Sequence, residues 1–272
     1  MANKKKKVTT TVTTTVTEEI VSTNEKTHII CILDRSGSMA SIISDSIGGF
    51  NTFLKQQKEL PDEATITVAL FDDEYDLLYN NINIKSAEEL TNKVWIPRGM
   101  TALHDAIGKT INNEKARFVK MGADKPAKVL VCIVTDGLEN ASKEYTRDGI
   151  KNLIKQCEEE NWNFLYLAAN QNAFDVGTSF GVSANNTHTY MATSDGVQHM
   201  SMTLSNASAS YRGMSSYSSD FKTRSKSLIT KEDEDEIKDS GTLIVNGTTI
   251  TAPNGTTQVN NTGNAAGNVT AK

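Results

Sequence analysis

Several stretches of this chain are apolar without alternation and too short to be anything but buried strands, and segments with helical spacing separate them. HIICIL at 28–33, KVLVCIVT at 128–135 and NFLYLAA at 163–169 have the pattern of strands covered on both faces. From Ser41 onward, Ile43, Ile47, Phe50 and Leu54 recur at spacings of three and four, which predicts a helix with one apolar side. ATITVALF at 64–71 and LLYNNINI at 77–84, joined by the acidic turn Asp72-Asp73-Glu74, predict an antiparallel hairpin. Further helices are expected from Thr101 to about Val119, over Arg147–Glu159, near Phe174–Phe180 and from Asp195 to about Tyr211, with a strand near Thr187–Met191. This alternation predicts an α/β fold: a doubly wound, mostly parallel central sheet with helices on both faces and one antiparallel edge hairpin. In such sheets ligands sit beyond the carboxyl ends of the strands.

The 272 residues are enough for one such domain with appended segments. Only 38% of residues are hydrophobic and 6% aromatic, so polar segments must dilute an ordinary core, and they lie at both ends. We expect a Thr-rich, flexible N-terminal tail over 1–22, the α/β domain over 23–214, a polar and acidic linker over 215–240, and a hairpin with a flexible Asn/Gly/Thr-rich tail over 241–272. The repeat VTTTVTTTVT at 8–17 favours extended chain and would pair, if at all, as an edge strand. The run KEDEDEIKD at 231–239 reads as solvated. Two β-rich runs over 242–251 flank Asn246-Gly247, a strong hairpin signal because both turn residues tolerate positive φ.

A formal net charge of −5 argues against a protein that coats nucleic acid or an anionic membrane. Cys31, Cys132 and Cys157 have no CxxC spacing, which speaks against a disulfide scaffold or a zinc ribbon. No run reaches the roughly 18 to 20 apolar residues that span a bilayer, and threonine fills the positions where a signal peptide needs apolar residues. A cytoplasmic protein is expected, or one assembled into a particle there.

The first strand runs into Asp34-Arg35-Ser36-Gly37-Ser38. One carboxylate and two hydroxyls on a tight turn can converge on one point, and oxygen donors are what a hard divalent cation takes. By itself such a loop could equally cap the next helix. Two further loops bear on the choice. Arg98-Gly99-Met100-Thr101 opens another helix with a hydroxyl, and the strand at 128–135 ends in Asp136-Gly137, a second carboxylate at the same edge. Taken in this order, the set resembles the metal-ion-dependent adhesion site of the von Willebrand factor type A domain family. The resemblance covers roughly 24–212. It matches Asp34, Ser36 and Ser38 to the family's DxSxS, Thr101 to its lone threonine and Asp136 to its final aspartate. It implies Mg²⁺, with Mn²⁺ able to substitute, a shell completed partly by water, and one position open to an acidic group of a protein partner.

Other signals are weaker. Gly108-Lys109-Thr110 looks like the end of a P-loop, but Leu103 stands where the motif needs glycine. Ser36 stands where an aspartyl-phosphatase motif needs its second aspartate. His104 reads as a packing or helix-surface residue. Arg98, Met100, Glu139 and Asn140 flank the site and are candidates for a partner-contact rim; Trp95 reads either as core packing or as part of that rim. Cys31 and Cys132 read as buried small hydrophobes. No His, Cys or Lys lies in the ligand loops, so no catalytic residue is assigned and an enzyme is not expected. Two functions follow: a cation-dependent protein-binding module that engages an Asp or Glu of a partner, or a structural assembly protein, such as a phage or particle component, whose tails dock onto neighbours.

Overall fold

The structure is a computed structural model that describes residues 26–169 and 172–213, together with the backbone of two short strands at 242–245 and 248–251. The repeat at 8–17, the acidic run at 231–239 and the Asn246-Gly247 turn lie outside the described residues.

In chain order the elements are β1 (Thr27–Asp34), α1 (Ile43–Glu59), β2 (Ala64–Phe71), β3 (Tyr75–Asn83), α2 (Leu103–Met121), β4 (Lys128–Thr135), α3 (Arg147–Glu159), β5 (Trp162–Ala169), α4 (Ala173–Ser179), β6 (Thr187–Tyr190) and α5 (Ser194–Gly213). Strands β7 (Thr242–Val245) and β8 (Thr248–Thr251) pair antiparallel as a separate hairpin. The main sheet has the order β3-β2-β1-β4-β5-β6. All its pairs are parallel except β2 with β3. The expected doubly wound sheet with one antiparallel edge hairpin is therefore present.

Burial on both faces is what made the central strands legible. Along β1, Ile29, Cys31 and Leu33 point into a layer with α1 and α5, where Phe50, Phe53, Val197 and Leu204 pack. Ile30 and Ile32 point the other way, among Ile107, Ile111, Ile150 and Ile154 of α2 and α3. Cys31 lies opposite Cys132 in the β1/β4 register, and all three cysteines are free and buried. The edge strand β3 is less regular. Its register shifts twice between Ile66 and Ala69 of β2, and Asn81 takes a positive φ of 52° while its N–H donates to Thr67 Oγ1 at 3.0 Å. Irregularities of this kind suit an edge strand, where extra twist discourages pairing with another chain.

The chain builds outward from β1 in one direction through β2 and β3, then returns to β1's other side and builds through β4, β5 and β6. The strand order reverses between β1 and β4. The crevice beyond the carboxyl ends of those two strands is where a doubly wound sheet exposes loops that diverge to opposite faces. Asp34 ends β1 and Thr135 ends β4. At the opposite edge, Lys26 precedes β1 and Arg212 closes α5 against Lys128, whose Nζ donates to the Arg212 carbonyl. Among the described residues no helix is long and apolar enough to cross a membrane.

Candidate metal centre

Each predicted ligand sits on a loop at this edge: the loops of Asp34 and Asp136 leave it, and the loop of Thr101 comes to it from the far end of β3. Asp34 is fully buried at the end of β1. Its Oδ1 accepts the Ser36 N–H at 2.6 Å, which bends the chain into the 3-10 turn Gly37–Ser41. Its Oδ2 accepts the Thr135 hydroxyl at 2.5 Å. Ser36 Oγ lies 3.0 Å from Ser38 Oγ, and Ser38 donates to Asp136 Oδ1 at 2.6 Å. The five oxygen-bearing residues thus form a continuous chain from Thr135 through Asp34, Ser36 and Ser38 to Asp136, and Thr101 reaches the same place from another loop.

Gly137 shows how tightly they converge. A Cβ added to it would lie 3.0 Å from Thr101 Oγ1, 3.4 Å from Ser38 Oγ and 3.7 Å from Ser36 Oγ. Three hydroxyls therefore face a space that any side chain at 137 would enter. The donor set is all oxygen, as a hard divalent cation prefers. Only two of its members are carboxylates, and among the described residues no group of three or more His, Cys, Asp or Glu could hold a metal. A cation here would depend on hydroxyls and solvent for much of its shell.

The electrostatics point the same way. Burial pushes Asp34 up to about 6, against the hydrogen bonds from Thr135 and Ser36, with the charge of Asp136 adding to the rise. Burial also raises Asp136, against the hydrogen bond from Ser38. Arg35, inside the DxSxS stretch, gives no relief. It donates from Nε to Asp72 at 3.1 Å and from Nη1 to Asp76 at 2.5 Å. Among the described residues neither site carboxylate has an ion-pair partner, so the two desolvated charges fit a cation held by Asp34, Ser36, Ser38, Thr101 and Asp136.

The Thr101 loop is held from three sides. Gly99 takes φ 64° and its carbonyl accepts the Gly37 N–H at 3.2 Å, while a Cβ there would run into the Asp73 carboxylate. Arg98 N–H donates to the Arg35 carbonyl at 2.8 Å, and Ala102 N–H to the Asp72 carbonyl at 2.9 Å. Thr101 N–H donates to Asn140 Oδ1 at 2.8 Å, and the Thr101 carbonyl accepts the N–H groups of Asn140 and Ala141. Asp72 is the node of this bracing. Its Oδ2 accepts Arg35 Nε and also Arg98 Nε at 2.7 Å, so it ties the DxSxS loop to the threonine loop.

The rim candidates fall into two groups. Arg98 also contacts Glu74. Glu139 accepts the backbone N–H groups of His104, Ala141 and Ser142 and the Ser142 hydroxyl. Asn140 holds Thr101. Met100 is 53% exposed. Trp95 lies in the core at 1% exposure, with Nε1 donating to the Asp34 carbonyl at 2.9 Å. His104 packs edge-on to Phe180, and burial lowers its pKa. Gly108-Lys109-Thr110 lies within α2, where Gly108 faces the Tyr145 ring, Lys109 pairs with Glu144 and Thr110 donates to the Ala106 carbonyl. Sequence reasoning had no signal for Thr135, Asp72 or the cradle at Gly137. Their roles depend on partners in other segments, and only the position of Thr135 immediately before Asp136 hinted at one.

No protein-family profile and no curated protein matches the chain. Among solved structures it is similar to the PilB minor pilin from Streptococcus sanguinis, at 9% identity and a TM-score of 0.50 over 69% of this chain and 62% of that one. Proximal thread matrix protein 1 from the mussel byssus, in a structure with a zinc-occupied MIDAS motif, gives 15% identity and a TM-score of 0.48 over 66% of this chain. The chain spans 45% of that mussel protein's chain. The vWF domain of the type V pili tip protein Mfa5 from Porphyromonas gingivalis gives 11% identity and a TM-score of 0.46, over 66% of this chain and 95% of that one. At such identities the likeness is one of fold.

Proposed function

We propose that this chain, which has the fold of the von Willebrand factor type A domains, is a divalent-cation-dependent protein-binding module rather than an enzyme. The observation that carries this reading is the convergence of the Ser36, Ser38 and Thr101 hydroxyls on the space over Gly137, beside the buried Asp34 and half-buried Asp136 carboxylates, which have no cationic partner among the described residues. Asp34, Ser36, Ser38, Thr101 and Asp136 hold Mg²⁺, or Mn²⁺ in its place. When bound, the ion offers an open coordination position to an Asp or Glu of a protein partner. Two protein carboxylates balance the two charges of the ion without exceeding them, so the site carries no net negative charge to repel the carboxylate of a partner at the open position. The protein works in the cytoplasm or in a particle assembled there, binds no nucleic acid and does not span a membrane.

A second reading is supported by the separation of the two poles. The described domain begins at Lys26 and ends at Gly213, both at the sheet edge opposite the metal centre. Tails leaving from that edge could dock onto neighbours in an assembly while the metal centre faces outward.

The test is to immobilise the full chain, load a lysate of the source in Mg²⁺, and elute with EDTA. Partner release by EDTA, and no capture by Thr101→Ala, are expected. A partner that survives EDTA and binds Thr101→Ala normally would exclude the metal-bridged reading and favour the assembly one.

A further inference from the structure

We infer that the metal centre selects a carboxylate carried between apolar side chains, on an exposed segment of a protein partner; the inference rests on the cation-dependent reading above. Seven large hydrophobic side chains are exposed among the described residues: Leu77, Val94, Ile96, Met100, Val119, Leu138 and Met202. Four of the seven lie on the two loops that deliver Thr101 and Asp136. Met100 is adjacent to Thr101, Leu138 is adjacent to Gly137 at the base of the cradle, and Val94 and Ile96 flank Trp95, which bonds to the Asp34 carbonyl. Ile96, Met100 and Leu138 are each more than half exposed, at 51%, 53% and 60%.

Several charged groups of the same loops are already engaged within the molecule, although Arg98 stays exposed. Arg98 faces Asp72 and Glu74. Glu139 is taken up by its own loop and by the His104 N–H, and Asp105 accepts the N–H groups of Lys143, Glu144 and Tyr145. Asp73 accepts the Met100 N–H at 3.1 Å. An approaching chain therefore meets an ion with an open position framed by apolar groups. Charge complementarity at the ion selects the carboxylate, and the frame selects what stands on either side of it. Apolar area removed from water on both flanks adds affinity that a lone carboxylate would not have.

The experiment uses the full chain in Mn²⁺ with three fluorescent nonapeptides of glycine and serine. One carries a central Glu flanked by Leu on both sides, one a central Glu flanked by Ser, and one a central Gln flanked by Leu. Fluorescence polarisation reads affinity, and calorimetry reads Mn²⁺ uptake separately. The Leu-flanked Glu peptide is expected to bind about tenfold tighter than the Ser-flanked one, and the Gln peptide to bind least. Met100→Ser with Leu138→Ser should remove most of the preference and leave Mn²⁺ affinity unchanged. Equal affinity of the two Glu peptides, no binding of either, or a preference that persists in the double variant would overturn the inference while the cation-dependent reading stands. Absence of Mn²⁺ uptake would overturn both.

Discussion

Thr135 donates its hydroxyl to Asp34 Oδ2 across 2.5 Å, so the last residues of β1 and β4, between which the strand order reverses, are joined beneath the candidate metal centre. The bond favours the charged form of a carboxylate that burial pushes up to about 6. The Thr135 hydroxyl also accepts the Gly137 N–H at 3.2 Å, which links the orientation of Asp34 to the turn that forms the cradle. Thr135→Val keeps the shape of the side chain and removes both functions. Stability is expected to fall by about 1–3 kcal/mol, the usual cost of stripping a partner from a buried charged group, and Mn²⁺ affinity is expected to fall with it. Urea melts and calorimetry check this, and a variant matching the wild type in both would show that the bond orders nothing.

Gly137→Ala separates the centre from the fold. The added methyl would lie 3.0 Å from Thr101 Oγ1, in the space proposed for the ion, while the strands beneath are untouched. Mn²⁺ affinity should drop about 10- to 100-fold, the range for changes to the immediate surroundings of a metal, with little movement of the melting temperature. Full Mn²⁺ affinity in this variant would place the ion elsewhere.

At the far edge of the sheet, His28 is buried with Nδ1 2.7 Å from Thr65 Oγ1 and Nε2 3.3 Å from Glu114 Oε2, and Arg117 reaches both His28 and Glu114. Burial lowers the His28 pKa below its ordinary 6.5. As pH falls below 6.5, the unfolded chain takes up a proton that folded His28 does not, so stability declines from there down to the folded value. Burial tends to raise Glu114, but the hydrogen bonds from His28 and Thr67 and the charge of Arg117 outweigh it, and its pKa is lowered. Its contribution is present above the ordinary 4.5 and is lost as pH falls through the folded value. Asp34 has the opposite sign, because its raised pKa gives the metal-free fold relief below about 6. Comparison with His28→Gln therefore isolates the histidine. In EDTA, the wild type should lose stability relative to the variant between pH 6.5 and 5.5, by up to about 1.4 kcal/mol per pH unit. Parallel curves would mean that His28 titrates normally in the fold.

Removal of residues 1–22 and 241–272 should barely move the melting temperature, whereas Arg212→Ala should cost roughly 2–4 kcal/mol. The Arg212 guanidinium donates to the Gln57 carbonyl at 2.6 Å, to Asp62 Oδ2 at 2.7 Å and to the Asp62 carbonyl at 2.7 Å. Its loss leaves those acceptors buried or half-buried without a donor. Thermal unfolding of the 24–214 chain and of the single variant decides this. An unfolded 24–214 chain would make the tails part of the core.

The sequence by itself determined which segments are strands and helices, because burial on two faces writes unbroken apolar runs such as KVLVCIVT and burial on one face writes the Ile43, Ile47, Phe50, Leu54 spacing. It also determined that Asp34, Ser36, Ser38 and Asp136 lie at one edge, since loops that follow parallel strands leave a doubly wound sheet on the same side. The loop of Thr101 follows the antiparallel β3, which ends at the other edge, so only the tertiary structure brings Thr101 to the others. Only the tertiary structure decided what the neighbouring side chains do. Arg35, Arg98, Glu139 and Asn140 look alike in sequence, as polar residues beside a ligand. In the fold each turns to a hydrogen-bond partner 26 to 39 residues away, Arg98 and Arg35 to Asp72, Asn140 to Thr101 and Glu139 to the His104 N–H, and Glu139 also binds within its own loop. Trp95 goes into the core while Met100, five residues on, stays exposed. The physical reason is that a strand's burial is a property of its local pattern, whereas the direction of a loop side chain is set by the donor or acceptor that another loop brings to it.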